Sequence, residues 1–390
     1  MRKTITIGDL GTIITGKTPP TTNKNYYGDY AVFIKPTDIS EQCKFTYETE
    51  EMYSKFAAEK YESSLIPKGA ICVPCIGTIG TKMTMAPCDC YTNQSINSIV
   101  CGENYDNEYV YYLIKNFLPG LKAYNLGTAS GREYVSKSNF EKIELVAEQD
   151  INIQKRIGVI LSRYDSLIEN YQKQIKLLEE AAQRLYKEWF VDLHFPGREN
   201  TKIVDGVPEG WEKKNLVDLV DVQYGYAFDG KLFNSNGEGM PILRIRNIPD
   251  GITSDYTTEE AQDCYIVHNG DIVVGMDGIF HINSWNGGDA YLVQRACSFR
   301  PKEEYMKGFI FQAIQEPIKF FEKTLVGATV AHLGKKHIDS IELCVPKDFE
   351  LYQPFTKFYN QRQGLLSQIR LLTEARDRLL SKLMNGEIKV

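Results

Sequence analysis

The chain has 390 residues, of which 43% are hydrophobic and 25% are charged. This balance is typical of globular proteins, and the length predicts two or three domains rather than one. The formal net charge of −6 argues against a basic protein that simply coats DNA. A DNA-binding protein with this charge has to concentrate a few basic residues locally or borrow positive charge from partners.

The sequence shows neither a membrane span nor a secretory signal. No stretch approaches the roughly 18 consecutive apolar residues that a transmembrane helix requires. Near the start, Thr4–Ile7 alternate like a β-strand, whereas a signal peptide has a continuous apolar segment there. Nine cysteines are an odd number in a chain without an export signal, which predicts free thiols and a reducing cytoplasm.

The chain consists of two similar halves. Segments of the same character recur about 200 residues apart, a period that indicates two domain-sized units rather than a solenoid of short repeats. The recurring segments, predicted to be short strands or glycine-centred turns, are Ile7–Leu10 with Leu216–Leu219, Thr15–Pro19 with Tyr224–Phe228, Val32–Lys35 with Ile242–Arg246, Gly69–Val73 with Gly270–Val274, and Ile143–Leu145 with Ile341–Leu343. Each half is therefore predicted to be a β-rich domain, the first at 1–148 and the second at 197–346.

A long helix is predicted after the first half, at 149–196. From Ile157 onward, apolar residues are spaced alternately four and three residues apart, as in the a/d seam of a coiled coil. They are Leu161, Tyr164, Ile168, Tyr171, Ile175, Leu178, Ala182, Leu185 and Trp189. Asp150 is a suitable N-cap, and Pro196 ends the pattern.

A second long helix is predicted at 347–390, where Gly386 is the expected end. Its apolar residues follow the same frame, although Arg362 and Arg376 interrupt it. They are Phe355, Phe358, Leu365, Ile369, Leu372, Leu379 and Leu383. Since each seam needs a partner, we expect the helices to pair antiparallel as a spacer between the domains; the alternative is two independent helices, each packed on its own domain. The predicted fold class is α+β, with two β-rich domains in a pseudo-twofold repeat and an antiparallel coiled-coil spacer.

One segment matches a nucleotide-binding pattern. Gly11–Thr18 fits G-x-x-x-x-G-K-[ST], which taken alone suggests an ATPase. In such a site the Lys and Thr open a helix that faces the phosphates, but Pro19 and Pro20 follow at once and disfavour helix. We therefore expect no nucleotide here, and an ATP-binding assay with a Lys17→Ala control would test this reading.

Other catalytic and metal motifs are also weak. Cys72, Cys75, Cys88 and Cys90 could supply four thiolates to zinc, but the equivalent segment of the second half, Val273–Met276, has no cysteine. We expect no metal. The sequence shows no Asp/Asn-Pro-Pro-Tyr/Phe motif for adenine methylation, no G-x-G-x-x-G after a strand, and no nuclease cluster of carboxylates with a lysine. The chain is predicted to be non-catalytic.

A family resemblance rests on the helical regions, the opening turns and the duplication. The segments that carry it are Ile153–Ile157, Leu177–Glu179 and Leu185–Phe190 in the first helix, Leu372–Leu380 and Gly386–Ile388 in the second, and the turns Thr15–Pro19 and Gly225–Phe228. Together they resemble the specificity subunits of Type I restriction–modification systems, over the whole chain. One departure is that the second helix has no match to Trp189 and Phe190.

The resemblance implies a DNA-reading role. Each β-rich half would be a target recognition domain for one half of a split double-stranded DNA site, and the helices would set the gap of unread bases. Two methyltransferase subunits would dock on the helices, and restriction (translocase) subunits would join through them. S-adenosylmethionine would belong to the methyltransferase, and ATP and Mg to the restriction subunit, so no cofactor is expected in this chain.

Candidate DNA contacts are polar and basic residues on turns, because such side chains can bond to base edges. In the first half they are Lys17, Thr18, Lys35, Thr37, Thr78, Asn93, Gln94 and Arg132. In the second half they are Arg244, Arg246, Asn247, Gln294, Arg295, Lys335 and Lys336. Arg244 and Arg246 are predicted to lie on one face of a strand. His332 and His337 are five residues apart, a poor spacing for metal ligands on one helix, and are read as surface or DNA-facing groups.

Trp189 and Phe190 are the first candidates for methyltransferase docking, with core packing as the alternative role. Two other functions stay open at this point. One is a specificity chain of a fused nuclease–methyltransferase. The other is a structural hub whose β domains bind protein or sugar, which the acidic charge favours and which would not bind DNA.

Overall fold

The computed structural model describes residues 2–127, 131–325 and 331–390. They divide into two compact units, described separately below. Unit 1 contains the chain up to Asn170 together with Arg370–Val390, and unit 2 contains Tyr171–Ile369. Both units combine strands with helices, and the predicted α+β class with two β-rich domains is confirmed.

Two four-stranded sheets form most of the β structure of unit 1. The strands are β1 (Arg2–Thr6), β2 (Gly11–Thr15), β3 (Tyr27–Gly28), β4 (Ala31–Ile34), β5 (Met52–Tyr53), β6 (Ile71–Pro74), β7 (Ile76–Gly77), β8 (Thr84–Met85), β9 (Tyr91–Thr92), β10 (Ile96–Cys101), β11 (Glu133–Tyr134) and β12 (Glu144–Glu148). One sheet has the order β2-β10-β6-β8 and the other β3-β5-β4-β9. β7 pairs with β11, and β1 pairs with β12, so the first and last strands of this domain are neighbours.

The helices of unit 1 pack against its two sheets. They are α1 (Lys55–Lys60), α2 (Asn107–Phe117), α3 (Lys137–Glu141) and the first part of α4 (Ile151–Tyr186). α2 begins after Asp106, whose carboxylate accepts the N–H of Tyr109 at 3.0 Å. Tyr109, Val110 and Leu113 of α2 share one core cluster with sheet residues such as Ile71. Burial of this face holds α2 on the sheet.

Unit 2 repeats this arrangement. Its strands are β13 (Ile203–Val204), β14 (Val207–Pro208), β15 (Trp211–Asn215), β16 (Val220–Tyr224), β17 (Phe233–Asn234), β18 (Met240–Leu243), β19 (Tyr256–Thr257), β20 (Ile266–Val267), β21 (Ile272–Gly275), β22 (Ile282–Ser284), β23 (Ala290–Leu292), β24 (Ala296–Pro301) and β25 (Glu342–Pro346). Its helices are the second part of α4, then α5 (Leu216–Leu219), α6 (Lys307–Ala313), α7 (Gln315–Thr324), α8 (Lys335–Asp339) and the first part of α9 (Gln353–Asn385).

The sheet order confirms the duplication. In unit 2, β16-β24-β21-β22 corresponds to β2-β10-β6-β8, and β17-β19-β18-β23-β20 corresponds to β3-β5-β4-β9 with one more strand. β15 pairs with β25 as β1 pairs with β12. In both units one strand pair is parallel, β4 with β9 and β18 with β23, while its neighbours are antiparallel. Equivalent residues of the two halves can therefore be assigned from hydrogen bonds rather than from sequence alone.

The opening segments of the halves are helical turns, so their prediction as strands was wrong. Ile7–Leu10 forms a 3₁₀ turn, and Leu216–Leu219 forms the short helix α5. In the first turn, the Thr6 N–H donates to the Asp9 carboxylate at 2.7 Å, and the Asp9 N–H donates to the Thr6 hydroxyl at 3.3 Å. This reciprocal cap stabilises a turn where the apolar pattern alone suggested a strand.

The first long helix begins where the sequence predicts. It follows Asp150 directly, and the Asp150 carboxylate accepts the N–H of Asn152 at 2.8 Å. Beyond α4 the chain continues as the π-helical segment Lys187–Val191, and helical geometry stops there rather than at Pro196. Leu193 has a φ of +59°, which a right-handed helix does not allow.

The predicted seam of α4 is the buried stripe of the helix. The seam residues that are fully buried are Ile157, Leu161, Ile168, Ile175 and Ala182. In unit 1, Ile157 and Leu161 belong to the same core cluster as Leu380 and Leu383 of the second long helix. Further along α4, Asp165 pairs with Arg376, so the residue number rises on one helix as it falls on the other. The pairing within this unit is antiparallel.

Unit 2 shows the same antiparallel pairing at the other part of the helices. Glu179 of α4 accepts a hydrogen bond from Arg362 Nε of α9 at 2.6 Å. Arg362 also donates to the side chains of Asn283, at 2.8 Å, and Ser284, and its guanidinium lies 5.5 Å from the centre of the Phe311 ring. The two arginines that interrupt the apolar pattern of the second helix are thus partners in ion pairs between the helices.

No helix in the described ranges combines the length and the apolar character needed to cross a membrane.

Candidate nucleic-acid interface

Each unit carries the same glycine turn, after β2 in unit 1 and after β16 in unit 2. In unit 1 the Gly16 N–H donates to the Ile96 carbonyl at 3.2 Å; in unit 2 the Gly225 N–H donates to the Ala296 carbonyl at 3.0 Å. A Cβ atom would lie 2.1 Å from a carbonyl oxygen at Gly16 and 2.2 Å from the Val293 oxygen at Gly225. These turns accept only glycine, because the backbone approaches too closely for any side chain.

In unit 1 this turn brings several predicted residues together. The Lys17 N–H donates to the Thr92 carbonyl at 3.0 Å, and the Asn93 N–H donates to the Ile34 carbonyl at 3.1 Å. The Thr18 hydroxyl bonds to the Gln94 side chain, and both residues are exposed. Lys17, Thr18 and Gln94 therefore form one exposed polar edge on two adjoining turns, with the half-buried Asn93 beside them.

Lys35 lies beside this edge, but its charge is already paired. Its ammonium lies 2.7 Å from Glu50 and 3.0 Å from Glu51, and the side chain is largely buried. Burial acts to lower the pKa of Lys35, but the hydrogen bonds and charges of the two carboxylates outweigh it and raise the pKa. Thr37 is exposed two residues further on.

Thr78 and Arg132 meet on a short ribbon. β7 pairs with β11 so that Gly77 faces Glu133, and the exposed residues Thr78 and Arg132 directly adjoin this last pair in the chain. The Glu133 carboxylate accepts the N–H of Ile79 at 3.0 Å and fixes the bend after Thr78. The predicted residues of unit 1 thus lie on two neighbouring loop ends.

In unit 2 the prediction for Arg244 and Arg246 needs correction. They do not stand on a strand face: β18 ends at Leu243, Arg244 caps the 3₁₀ turn Ile245–Asn247, and Arg246 lies within that turn. The Asn247 side chain accepts the Arg244 N–H at 2.9 Å, which ends the strand. The same cap occurs in unit 1, where the carboxylate of Asp38 accepts the Lys35 N–H at 2.8 Å.

The side chains on this turn are held by other residues of unit 2. Arg246 makes charged hydrogen bonds to Asp255, with Nη2 2.6 Å from both Oδ1 and Oδ2 and Nε 3.1 Å from Oδ2. The Arg244 guanidinium lies 5.4 Å from the centre of the Phe233 ring. Both arginines are therefore oriented before any ligand binds.

Gln294 and Arg295 occupy the loop from β23 to β24. The Gln294 N–H donates to the Tyr226 carbonyl and the Met276 N–H donates to the Arg295 carbonyl, each at 2.8 Å. Arg295 has a φ of +73° and an exposed side chain whose Nε lies 3.3 Å from Asp277. The other oxygen of Asp277 lies 2.6 Å from Nδ1 of His332.

Sequence reasoning missed Asp277 as a partner of Arg295. The two residues are distant in the chain, and no local motif connects them with His332. The sequence analysis named Arg295 as a DNA contact and His332 as a surface or DNA-facing group, but it did not connect the two residues. Both residues contact Asp277, and only the tertiary structure shows this.

Lys335 and Lys336 open α8 and are exposed. Lys335 lies 3.0 Å from Asp339 one turn along this helix. This is a solvated i,i+4 pair, which leaves the lysines accessible to an anionic ligand.

The two docking candidates lie in the core region of unit 2. Phe190 is only 9% exposed, with its ring centre 4.8 Å from that of Phe309 and 5.1 Å from that of Trp211. Trp189 is half-buried with its ring centre 6.0 Å from that of Phe355. These contacts correspond to the core-packing alternative, and a docking role for either residue stays a prediction.

The segment that matches the nucleotide-binding pattern is strand β2 followed by the glycine turn, and no helix opens at Lys17 or Thr18. Cys72 and Cys75 are buried in or beside β6, where desolvation raises the pKa of each thiol to about 12, while Cys88 is exposed. Within the described part of the chain, no three His, Cys, Asp or Glu side chains are grouped to hold a metal ion.

Comparison with known proteins gives consistent matches. A family model described as the Type I restriction modification DNA specificity domain matches residues 2–180 and 208–368. The specificity subunit of the Type I restriction enzyme MjaIX from Methanocaldococcus jannaschii is 26% identical over 98% of this chain and 93% of that protein. The MjaVIII specificity subunit from the same organism is 27% identical over 73% of this chain and 71% of that protein.

The fold has a solved counterpart. The crystal structure of the Type I restriction–modification S subunit from M. genitalium superimposes with a TM-score of 0.56 and 17% identity, over 98% of this chain and 96% of that one. At this identity the likeness concerns the fold alone. The family model, however, matches both halves of the sequence, once in each of the duplicated β-rich domains. This chain therefore belongs to the family of Type I restriction–modification DNA specificity proteins.

Proposed function

We propose that this chain is the sequence-recognition subunit of a Type I restriction–modification complex and reads a bipartite target in double-stranded DNA. The observation that carries this proposal is the repetition of one loop framework with different side chains. Gly16 and Gly225 build the same turn, yet the next residue is Lys17 in one unit and Tyr226 in the other. A shared scaffold with different exposed groups suits two different half-sites, because base identity is read by side chains.

The proposed DNA-facing residues are those on the exposed loop ends of each domain. In unit 1 they are Lys17, Thr18, Thr37, Thr78, Asn93, Gln94 and Arg132, with Lys35 as a paired neighbour. In unit 2 they are Arg244, Arg246, Asn247, Gln294, Arg295, Lys335 and Lys336. Because the net charge is −6, these few groups have to act together with positive charge supplied by partner subunits.

The partners belong to the same proposal. Two methyltransferase subunits would bind this chain and use S-adenosylmethionine for adenine methylation, and restriction subunits that use ATP and Mg would join through them. The chain itself would contribute recognition and no catalytic group. Its place of action would be the cytoplasm, where bacterial and archaeal DNA is found.

The test is to co-express the chain with the methyltransferase subunit of its own system and to map N6-methyladenine across the host genome. We expect a bipartite motif with a fixed gap that disappears when this chain is deleted. A stable complex that leaves no motif, or no complex at all, would contradict the proposal and favour a structural hub.

Replacing residues 1–148 with those of a relative should change only one half of the methylated motif. The reason is that the first domain has its own core and its own closing strand pair, β1 with β12. The motif of the chimaera is read in the same methylation assay, and the unaltered half-site is the internal control. A change in both halves would show that the domains do not read DNA independently.

A further inference from the structure

We infer that Arg295 reads a guanine in the second half-site and that Asp277 and His332 position it; this rests on the proposed function. Arg295 lies between β23 and β24 with a φ of +73°, a conformation that favours glycine. Its backbone is fixed on both sides, since the Arg295 carbonyl accepts the Met276 N–H and the Gln294 N–H donates to the Tyr226 carbonyl. An arginine at a strained position on a fixed loop points to a use for the side chain.

The side chain forms an ion pair with Asp277. Nε of Arg295 lies 3.3 Å from Oδ2 of Asp277, and Oδ1 of Asp277 lies 2.6 Å from Nδ1 of His332. Asp277 and His332 also face each other as a β-bridge pair, so the carboxylate is fixed by backbone and side chain. The Asp277 side chain is 21% exposed and the Arg295 side chain is 69% exposed, so the arginine is accessible to a ligand while its partner is largely buried.

This geometry suits a base edge. With Nε on the side of Asp277, the two terminal nitrogens are the pair that can donate together to O6 and N7 of guanine in the major groove. A guanidinium held by a second side chain loses less freedom on binding than a mobile one, which sharpens discrimination.

Comparison with unit 1 separates base reading from a phosphate contact. The Ser95 carbonyl accepts the Cys75 N–H at 2.7 Å, as the Arg295 carbonyl accepts the Met276 N–H, so Ser95 is the equivalent of Arg295. Ile76 and Tyr134 are the equivalents of Asp277 and His332, because they pair across the same ribbon. Phosphates are alike in every sequence, whereas bases differ between half-sites. Arg295, Asp277 and His332 are replaced by other residue types in unit 1. This difference fits a contact with a base better than a contact with a phosphate.

The experiment uses the full-length chain in complex with its methyltransferase subunits and a library of randomised DNA sites. The main variant is Arg295→Gly, because glycine accepts the positive φ and only the side chain is lost. We expect the preference for guanine at one position of the second half-site to fall by about 5- to 150-fold, the range for one bidentate base contact. Arg295→Lys should lose the preference while keeping the charge, and Asp277→Asn should weaken it at the same position.

Arg300→Lys is the matched control. Arg300 Nε lies 3.4 Å from Asp271 Oδ2, so this is another arginine–aspartate pair of unit 2, but the side chain is only 32% exposed and donates to the Ile266 carbonyl. This control should leave the motif unchanged. A wild-type complex without a bipartite motif would contradict the proposed function itself.

If the wild type gives a motif, two results would contradict the role of Arg295 while leaving the proposed function intact. One is an Arg295→Gly variant that weakens binding to all sequences equally and keeps the motif, which indicates a phosphate contact. The other is a change in the first half-site. Thermal unfolding of Arg295→Gly close to that of the wild type would show that the loss is one of recognition and not of folding.

Discussion

Replacing Arg376 with alanine should destabilise unit 1 by about 3–5 kcal/mol, the usual cost of removing one partner of a buried ion pair. Arg376 and Asp165 are each only 7% exposed at the side chain, and Asp165 also accepts the hydroxyl of Tyr112. Without the guanidinium, the carboxylate stays buried between two helices without its ion-pair partner. The measurement is denaturant unfolding of the full chain followed by a probe in unit 1.

Two controls test whether the uncompensated charge is the reason. Glu141→Ala breaks the exposed Lys137–Glu141 pair on α3 and should cost no more than about 0.5 kcal/mol. The double variant Asp165→Asn with Arg376→Met removes both charges and keeps an acceptor for Tyr112, so it should be more stable than Arg376→Ala. If the double variant were equally unstable, loss of packing volume would explain the effect instead.

Replacing Gly225 with alanine should destabilise unit 2 by about 1–3 kcal/mol or more, because a well-packed site gains an atom that it cannot accommodate. The added Cβ would lie 2.2 Å from the Val293 carbonyl oxygen, and this atom belongs to backbone that cannot move aside cheaply. Since the turn also fixes Tyr226 and, through it, Gln294, we expect recognition of the second half-site to be lost while the first half-site is still read.

Gly230→Ala is the control for this prediction. Gly230 lies in the same unit, and nothing lies within 4 Å of a Cβ atom built on it, so its replacement should change stability by less than about 0.5 kcal/mol. Gly16→Ala should have the mirrored effect, on unit 1 and the first half-site. A methylation map in which Gly225→Ala altered both half-sites equally would contradict a local role for the turn.

Regular patterns allowed much of the fold to be predicted from sequence. The alternating spacing from Ile157 onward identified α4 and its buried side, and Asp150 marked its start, because both signals are local. The duplication was visible for the same reason, since strands such as β6 and β21 carry similar apolar runs.

The errors arose where a local hydrogen bond overrides the apolar pattern. The cap between Thr6 and Asp9 makes a helical turn of Ile7–Leu10, which was predicted to be a strand, and the cap by Asn247 ends β18 before Arg244. The pattern of apolar and polar residues carries no information about such hydrogen bonds.

The candidate interface was only partly accessible to sequence reasoning. Lys17, Thr18 and Gln94 could be chosen as exposed polar residues, but their common edge depends on backbone hydrogen bonds between distant turns. The contact of Arg295 with Asp277 joins separate loops, and nothing in either loop indicates the other. Residue type and local turn chemistry thus suggested members of the interface, and tertiary contacts decided how they are grouped.

The ion pairs between the long helices place opposite charges on the two helices. Both carboxylates, Asp165 and Glu179, lie on α4, and both arginines, Arg376 and Arg362, lie on α9. A pair formed from two copies of α4 would bring carboxylates to these places and would lack the matching arginines of α9. Self-association of one half of the chain is therefore disfavoured by charge, and the natural partner of the first helix is the second helix of the same polypeptide.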